Sequence, residues 1–313
     1  MGRFVSALAN PKRLTQVSLG LTVLTYLLIV VGGLTRAYGA GLACPDWPKC
    51  FGQWIPPMNS LVFLEWFHRL VAATVSTGFL VLVAWVLAVA EFRRRHGALI
   101  LVAVGLLTLQ IILGALTVRG LLRPEWVFLH LGTALAFYGS LLVTTLRLRR
   151  VEGPEPQETV PPGVRSLSWV ATLATYGQAL LGVAVSSHYA GLACPDWPLC
   201  NGMLFPPLTG AVGLQVIHRL GAYTVAGLIV ALMVLTRPAA PALRRGAQLA
   251  CGLVFLQIAL GVANVFLGVP PALSGLHLAT AVALWTTLIT MTAATAQTRS
   301  AWSRPPGGMV PAR

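Results

Sequence analysis

The sequence predicts an all-α membrane protein with eight transmembrane helices, arranged as two tandem four-helix bundles. Hydrophobic residues make up 56% of the 313 residues and charged residues only 10%, a composition typical of a polytopic membrane protein. Eight apolar segments reach the roughly 20 residues that a helix needs to cross the hydrocarbon core. The predicted spans are 16–36, 61–90, 98–119, 125–146, 166–187, 212–236, 245–268 and 272–296.

The two bundles are predicted from an internal duplication. An octapeptide with the sequence Gly-Leu-Ala-Cys-Pro-Asp-Trp-Pro occurs twice, at an offset of 150 residues, and other shared segments keep that offset or one of 147. Because four crossings return the chain to its starting side, we expect a pseudo-two-fold axis along the membrane normal to relate the repeats. The shared segments are 41–48 with 191–198, 68–70 with 218–220, and 109–118 with 256–265.

The elements follow the same order in each half: a helix, a long loop with two cysteines, a helix, a short turn, a helix, a second short turn and a helix. The first span resembles a signal peptide but is too long for one and lacks a cleavage site, so we expect it to be retained. The predicted domains are an N-terminal repeat over 1–150, a Pro- and Glu-rich cytoplasmic linker over 151–165, a C-terminal repeat over 166–300 and a disordered tail over 301–313.

The distribution of basic residues predicts the orientation. The formal net charge is +14, but 16 of the 22 Lys and Arg residues fall at one set of helix ends. A clustered nucleic-acid surface is therefore not expected, and these ends are predicted to be cytoplasmic. Both termini then face the cytoplasm, and the cysteine loops lie on the outer face of the cell membrane. His96 belongs to a basic inner turn and is expected to be solvated.

The cysteine loops are predicted to be closed by disulfides. Four of the five cysteines form two Cys-x5-Cys patterns, and an outer location is an oxidising compartment in which disulfides persist. A zinc site is the alternative, but this spacing is unusual for one and no histidine repeats beside both loops. The predicted pairs are Cys44 with Cys50 and Cys194 with Cys200, whereas Cys251 is expected to be a small buried apolar residue.

Four histidines within the predicted spans are candidates for chemistry, because an ionisable residue inside a membrane is costly. They form two pairs at matched depth, His68 with His130 and His218 with His277. Paired imidazoles on facing helices of a bundle suit the two axial positions of a haem iron. A zinc or copper site, a proton relay and simple packing are the alternatives.

The halves differ at the residue three positions before the first histidine of each pair. Glu65 lies there in the first half and Gln215 in the second. Because residues three apart share a helical face, a carboxylate is expected beside His68 only. We interpret Glu65 as catalytic, and the alternative is a residue that orients His68. Arg69 and Arg219 follow the histidines and are predicted either to bind haem propionates or to extend to the interface.

Together these features resemble the haem A synthase family of membrane enzymes, which convert haem O to haem A. The resemblance covers essentially the whole chain and is carried by the eight spans, the cysteine pairs and the Glu-x-x-His-Arg motif at 65–69. It implies that His218 and His277 bind haem b, that His68 and His130 bracket haem O, and that Glu65 is the essential acid. Family members differ in whether they keep both cysteine pairs, so the roles of the individual pairs stay open.

The implied reaction oxidises a porphyrin methyl group to a formyl group in two successive steps, for assembly of cytochrome oxidase. The implied partners are haem O synthase, an external electron acceptor or donor, and the lipid bilayer, and a homo-oligomer is compatible with the sequence. The alternative is a di-haem, b-type electron-transfer protein without catalysis. A pure carrier has no need of a lone carboxylate, so the difference between Glu65 and Gln215 favours the enzyme.

Overall fold

A computed structural model of the chain describes residues 10–150 and 160–296, and the described part is helical with short connections. Eight of its helices are long and apolar enough to cross a membrane, which confirms the predicted fold class. They are α1 Pro11–Ala37, α2 Ser60–Ala88, α3 Ala90–Arg119, α4 Pro124–Arg150, α5 Val164–Ser187, α6 Gly210–Leu235, α7 Pro241–Phe266 and α8 Pro271–Thr295.

Several helices are longer than the predicted spans, because the polar residues of a first turn are not apolar enough to be included in a span predicted from hydropathy. Helix α1 begins at Pro11, where the side chain of Asn10 accepts hydrogen bonds from two free backbone amides of the first turn. Helix α3 begins eight residues earlier than predicted and has Glu91 in its first turn, where a negative charge is favourable. Only Val89 separates α2 from α3, so the predicted inner turn is the start of a helix.

This longer helix corrects the prediction for His96. The residue lies on α3 and its side chain is buried, with both ring nitrogens lacking a hydrogen-bond partner. A helix that continues through the basic segment turns some of its residues toward the bundle, whereas a surface turn would have left them in solvent. The expectation of a solvated His96 was therefore wrong.

Within each repeat the four helices pack as a ring, in which the first and last helices are also neighbours. A hydroxyl cluster joins those two helices. Ser18 and Thr22 of α1 lie 2.6 and 2.9 Å from the Thr145 hydroxyl of α4, and in the second repeat Thr172 of α5 lies 2.7 Å from the Thr292 hydroxyl of α8. Such hydrogen bonds stabilise pairs of helices within a membrane, because the lipid tails cannot form hydrogen bonds with the hydroxyl groups.

The two repeats contact each other through α1, α4, α5 and α8. The Tyr26 hydroxyl donates to the carbonyl of Ala279 at 2.9 Å, and the Tyr176 hydroxyl donates to the carbonyl of Gly132 at 3.1 Å. The two bonds use positions related by the repeat offsets, so they run in reciprocal directions. Such reciprocity is what a two-fold relation requires, although the axis itself stays a prediction.

The domain boundaries also stay predictions. Most of the predicted linker, the predicted tail and the N-terminal nine residues lie outside the described residues. The part of the linker that is described leads through Gly163 directly into α5, which begins at Val164. All four cysteines of the loops, and all four candidate histidines, lie within the described ranges and at the same end of the bundles.

Candidate functional site

The two cysteine loops have the same structure. Disulfides join Cys44 to Cys50 and Cys194 to Cys200, with Cα–Cα distances of 4.7 and 4.6 Å, as the sequence predicted. The four half-cystines are buried against the bundle ends, and Cys251 is a buried free cysteine. Each loop is therefore a closed unit that is fixed to the helices beneath it.

An aspartate closes the turn inside each loop. The carboxylate of Asp46 accepts hydrogen bonds from the backbone amides of Phe51 at 2.6 Å and Gly52 at 2.8 Å, and Asp196 does the same in the second loop. The Gly52 amide, with that of Phe51, holds the pKa of Asp46 below its usual range. The carboxylate is therefore ionised at neutral pH, which is the form that accepts both hydrogen bonds.

We predict that both disulfides protect their cysteines in the isolated protein. After denaturation without a reductant, an alkylating reagent should label Cys251 and leave the other four cysteines unlabelled, as mass spectrometry would show. Each loop closure should contribute about 2 kcal/mol, chiefly by restricting the unfolded chain. Labelling of Cys194 and Cys200 before reduction would contradict a structural bond, whereas partial labelling of Cys44 and Cys50 alone would identify a redox-active pair.

The arginines beside the histidines fasten these loops to α2 and α6, a role that the sequence did not predict. Each guanidinium group donates to three backbone carbonyls of its own loop, at distances of 2.6 to 3.2 Å. The acceptors are Cys44, Asp46 and Lys49 for Arg69, and Cys194, Asp196 and Leu199 for Arg219. The planar fork of arginine suits several fixed acceptors at once. A propionate contact for either residue stays a prediction.

Glu65 is the buried acid of this end of the first bundle. One carboxylate oxygen accepts a hydrogen bond from the Cys44 amide at 2.7 Å, and the other forms an ion pair with Arg69 at 2.6 Å. The structure shows no hydrogen bond between Glu65 and His68, whose Nδ1 is buried without a partner. Glu65 therefore connects the first cysteine loop to the helix that carries His68.

The matching contacts of Gln215 are weaker. Its side-chain nitrogen donates to the carbonyl of Gly191 at 3.2 Å, and its buried oxygen has no partner. Because an amide is neutral, it cannot form an ion pair with Arg219. Besides the arginine that both repeats share, the first repeat therefore has a carboxylate between the loop and the histidine helix where the second has a neutral amide, so the predicted asymmetry extends to the contacts.

The four histidines lie six to eight residues after the first residue of helices α2, α4, α6 and α8, about 10 Å into the bundles at 1.5 Å per residue. All four are partly buried. Each ring packs against a glycine of the preceding helix, where a Cβ would lie only 2.8 to 3.2 Å from the ring. The glycines are Gly32 for His68, Gly114 for His130, Gly182 for His218 and Gly261 for His277.

Glutamines contact three of the four rings. Gln110 lies 3.2 Å from Nε2 of His130, and Gln257 lies 3.1 Å from Nε2 of His277. These two contacts are equivalent in the repeats. A third glutamine reaches Nδ1 of His218 at 3.0 Å, and Nδ1 of His68 has no such contact. The sequence carried a signal for the first two, because a Leu-Gln-Ile segment repeats at 109–111 and 256–258.

The two histidines of each repeat lie on helices that stand opposite each other in the ring of four. Among the described residues no group of three or more His, Cys, Asp or Glu side chains could hold a metal ion, so a zinc site lacks further ligands there. Two imidazoles on different helices fit an iron porphyrin, which takes only two ligands from the protein.

These features define a class of protein: a polytopic membrane protein with a pair of histidines inside each of two repeated four-helix bundles. The chain belongs to the COX15-CtaA family of cytochrome oxidase assembly proteins, whose sequence model matches residues 15–289.

Individual relatives are similar over most of their length. The haem A synthase of Symbiobacterium thermophilum is 32% identical over 262 residues, which cover 80% of this chain and 85% of that protein. The haem A synthase of Shewanella oneidensis is 30% identical over 86% of this chain and 92% of its own length. That of Caulobacter vibrioides is 30% identical, over 83% and 90% respectively.

Proposed function

We propose that this protein is a haem A synthase, an oxidoreductase that converts the methyl group of haem O to the formyl group of haem A. Family membership supports this proposal, and so does the name of each relative described above. The observation that carries it is the buried carboxylate of Glu65 beside one histidine pair, with neutral Gln215 beside the other. A protein with one reactive haem site and one electron-transfer site would need its two repeats to differ, and they differ at this position.

The two repeats would have different roles. His68 and His130 would bracket haem O as the substrate in the first repeat, and His218 and His277 would hold a resident haem b in the second. Haem b supplies one-electron redox chemistry when bound. The glycine against each ring lets that ring lie close to the neighbouring helix, and the two imidazoles of each repeat supply the two nitrogen ligands that a haem iron takes from a protein.

Glu65 would act on charge and protons. Conversion of a methyl group to a formyl group in two successive oxidations adds one oxygen atom and, with water as the oxygen donor, releases four protons and four electrons (R–CH3 + H2O → R–CHO + 4 H+ + 4 e−). A carboxylate can accept such a proton or stabilise the positive charge that develops. Arg69 fixes one oxygen of Glu65 through their ion pair, and the amide of Cys44 fixes the other. The orientation of Glu65 therefore depends on the closed loop.

The remaining proposals concern location and partners. Both termini lie in the cytoplasm and the cysteine loops lie outside, according to the positive charge at the opposite helix ends. Haem O synthase provides the substrate. An external partner accepts electrons, because two successive oxidations of the methyl group remove electrons that must leave the protein before the next turnover.

Analysis of the pigments separates the enzyme from a di-haem carrier. The protein should be produced in cells that make haem O but no haem A, and the haems of the cells and of the purified protein should be separated by chromatography. We expect haem b together with haem O or haem A in the protein, and new haem A in the cells. Haem b alone, at two per chain and without haem A, would identify a b-type carrier and refute the proposed function.

A further inference from the structure

A second difference between the repeats lies beside His218. The side-chain nitrogen of Gln178, on α5, is 3.0 Å from Nδ1 of His218 and 2.8 Å from the carbonyl oxygen of the same residue. The first repeat has Leu28 at the matching position, 150 residues earlier. Leu28 packs against the apolar core, and Nδ1 of His68 has no partner. Of these two matching imidazoles, the structure therefore holds only that of His218 by a hydrogen bond to Nδ1.

A neighbouring glycine provides the space for the amide. A Cβ on Gly221 would collide with Oε1 of Gln178, whereas the matching residue of the first repeat is Val71, with a branched side chain. Both positions therefore differ between the repeats. The first repeat has Leu28 with Val71, and the second has Gln178 with Gly221. A polar side chain and the space that admits it are two separate features of the sequence, and both point to the contact with His218.

The contact matters because an imidazole binds iron through one nitrogen while its other nitrogen carries the proton. When the second nitrogen donates its proton to an outer acceptor, the ring and its tautomer are fixed and the ligating nitrogen becomes more basic. In the structure the amide nitrogen of Gln178 faces Nδ1 of His218, and rotation of the amide by half a turn would present Oε1, which has no partner, as the acceptor for Nδ1–H. Leucine offers no acceptor.

We propose that Gln178 is a positioning residue that makes the second repeat a permanent haem site, and that Leu28 makes the first repeat an exchangeable one. The inference rests on the proposed function, which places the resident haem in the second repeat and the substrate in the first. A substrate must enter and its product must leave, so a histidine without outer support suits the first repeat. A resident redox group must stay through many turnovers, so a supported ligand suits the second.

The test copies the first-repeat pair into the second repeat as Q178L/G221V, which recreates a side-chain combination that the fold already contains. Purified protein is mixed with excess apomyoglobin, and the rate of haem transfer is measured together with the midpoint potential of the resident haem. We expect transfer about 10 to 100 times faster than in the wild type, the usual effect of removing an outer partner of a ligand. The midpoint potential should rise, because a less basic imidazole stabilises ferric iron less.

The reverse exchange, L28Q/V71G, should slow the release of haem from the first repeat in the same assay. The His218→Ala variant distinguishes failure of the proposed function from failure of the role assigned to Gln178. If that variant keeps the resident haem, the proposed function is wrong about the second repeat. If it loses the haem while Q178L/G221V transfers haem at the wild-type rate with an unchanged potential, the role of Gln178 is overturned. Should Q178L/G221V not fold, unchanged release from L28Q/V71G overturns it equally.

Discussion

Replacing Glu65 by glutamine should leave a folded, haem-containing protein that produces little or no haem A. The substitution copies the side chain of Gln215 into the first repeat and keeps nearly the same shape. It removes the charge of a side chain that is only 4% exposed and with it the ability to accept a proton. If the second oxidation depends on Glu65 more than the first, a partly oxidised intermediate should accumulate. The measurement is chromatography of haems extracted from cells that also make haem O.

The structure adds a second effect of this substitution that must be separated from the first. Glutamine can accept a hydrogen bond with its oxygen only, so either the Cys44 amide or Arg69 loses its acceptor. Arg69→Ala is the matched control, because it also loosens the loop but leaves the carboxylate in place. In both variants the ease with which dithiothreitol reduces the Cys44–Cys50 disulfide reports how firmly the loop is held.

The two variants then give distinct patterns. A catalytic Glu65 predicts that Glu65→Gln loses far more haem A than Arg69→Ala, although the Cys44–Cys50 disulfide becomes easier to reduce in both. Equal losses in both variants would mean that the reaction requires the ion pair between Glu65 and Arg69 rather than the carboxylate alone. Near-normal haem A from Glu65→Gln would refute any catalytic role. Gln215→Glu, the exchange in the other repeat, should not create a second site of oxidation, because the methyl group to be oxidised is bound elsewhere.

Replacing His218 or His277 by alanine should abolish the low-spin haem b spectrum of the purified protein. Each variant removes one of the two imidazoles that would hold haem b, so the effect should exceed the roughly 10- to 100-fold loss of affinity that follows removal of an outer partner. His68→Ala and His130→Ala should instead keep haem b and lose bound haem O or haem A. Haem content by the pyridine haemochrome method and visible spectroscopy distinguish these results.

Two other histidines serve as controls for this series. His188 lies beyond the end of α5 and contacts the Ala184 carbonyl of that helix, whereas His96 is buried near the start of α3. Alanine at either position should leave the haem b spectrum unchanged. An unchanged spectrum in both His218→Ala and His277→Ala would refute the assignment of haem b to this pair of histidines. Loss of haem b in His68→Ala alone would show that the first repeat, rather than the second, holds haem b.

Much of the architecture could be predicted because it depends on features that a sequence displays directly. The length of an apolar segment decides whether a helix can span a bilayer, and all eight predicted spans are helices. The 150-residue repeat placed both cysteine pairs in equivalent loops, and a separation of six residues is short enough for each pair to close on itself. Polar helix ends were missed, because a charged turn such as that of Arg93–Arg95 has no hydropathy signal.

The candidate histidines, and the contrast between Glu65 and Gln215, were also visible in the sequence, because ionisable residues are rare inside spanning helices. The residues that contact these side chains could not be predicted from the sequence. The sequence places Glu65 on the same helical face as His68, yet its carboxylate contacts Arg69 and the Cys44 amide. Loop backbone groups carry no residue-specific signal, so a contact with them cannot be read from a motif.

The sequence by itself thus determined the class of protein, its duplication and the residues capable of chemistry. Only the tertiary structure decided which side chains meet: Gln178 with His218, each histidine with a glycine, and His96 with the bundle interior. The physical reason is that a spanning helix is apolar both where it faces lipid and where it faces other helices. Apolar periodicity therefore cannot show which face turns inward, and the rotation of each helix is set by the close packing of the assembled bundles.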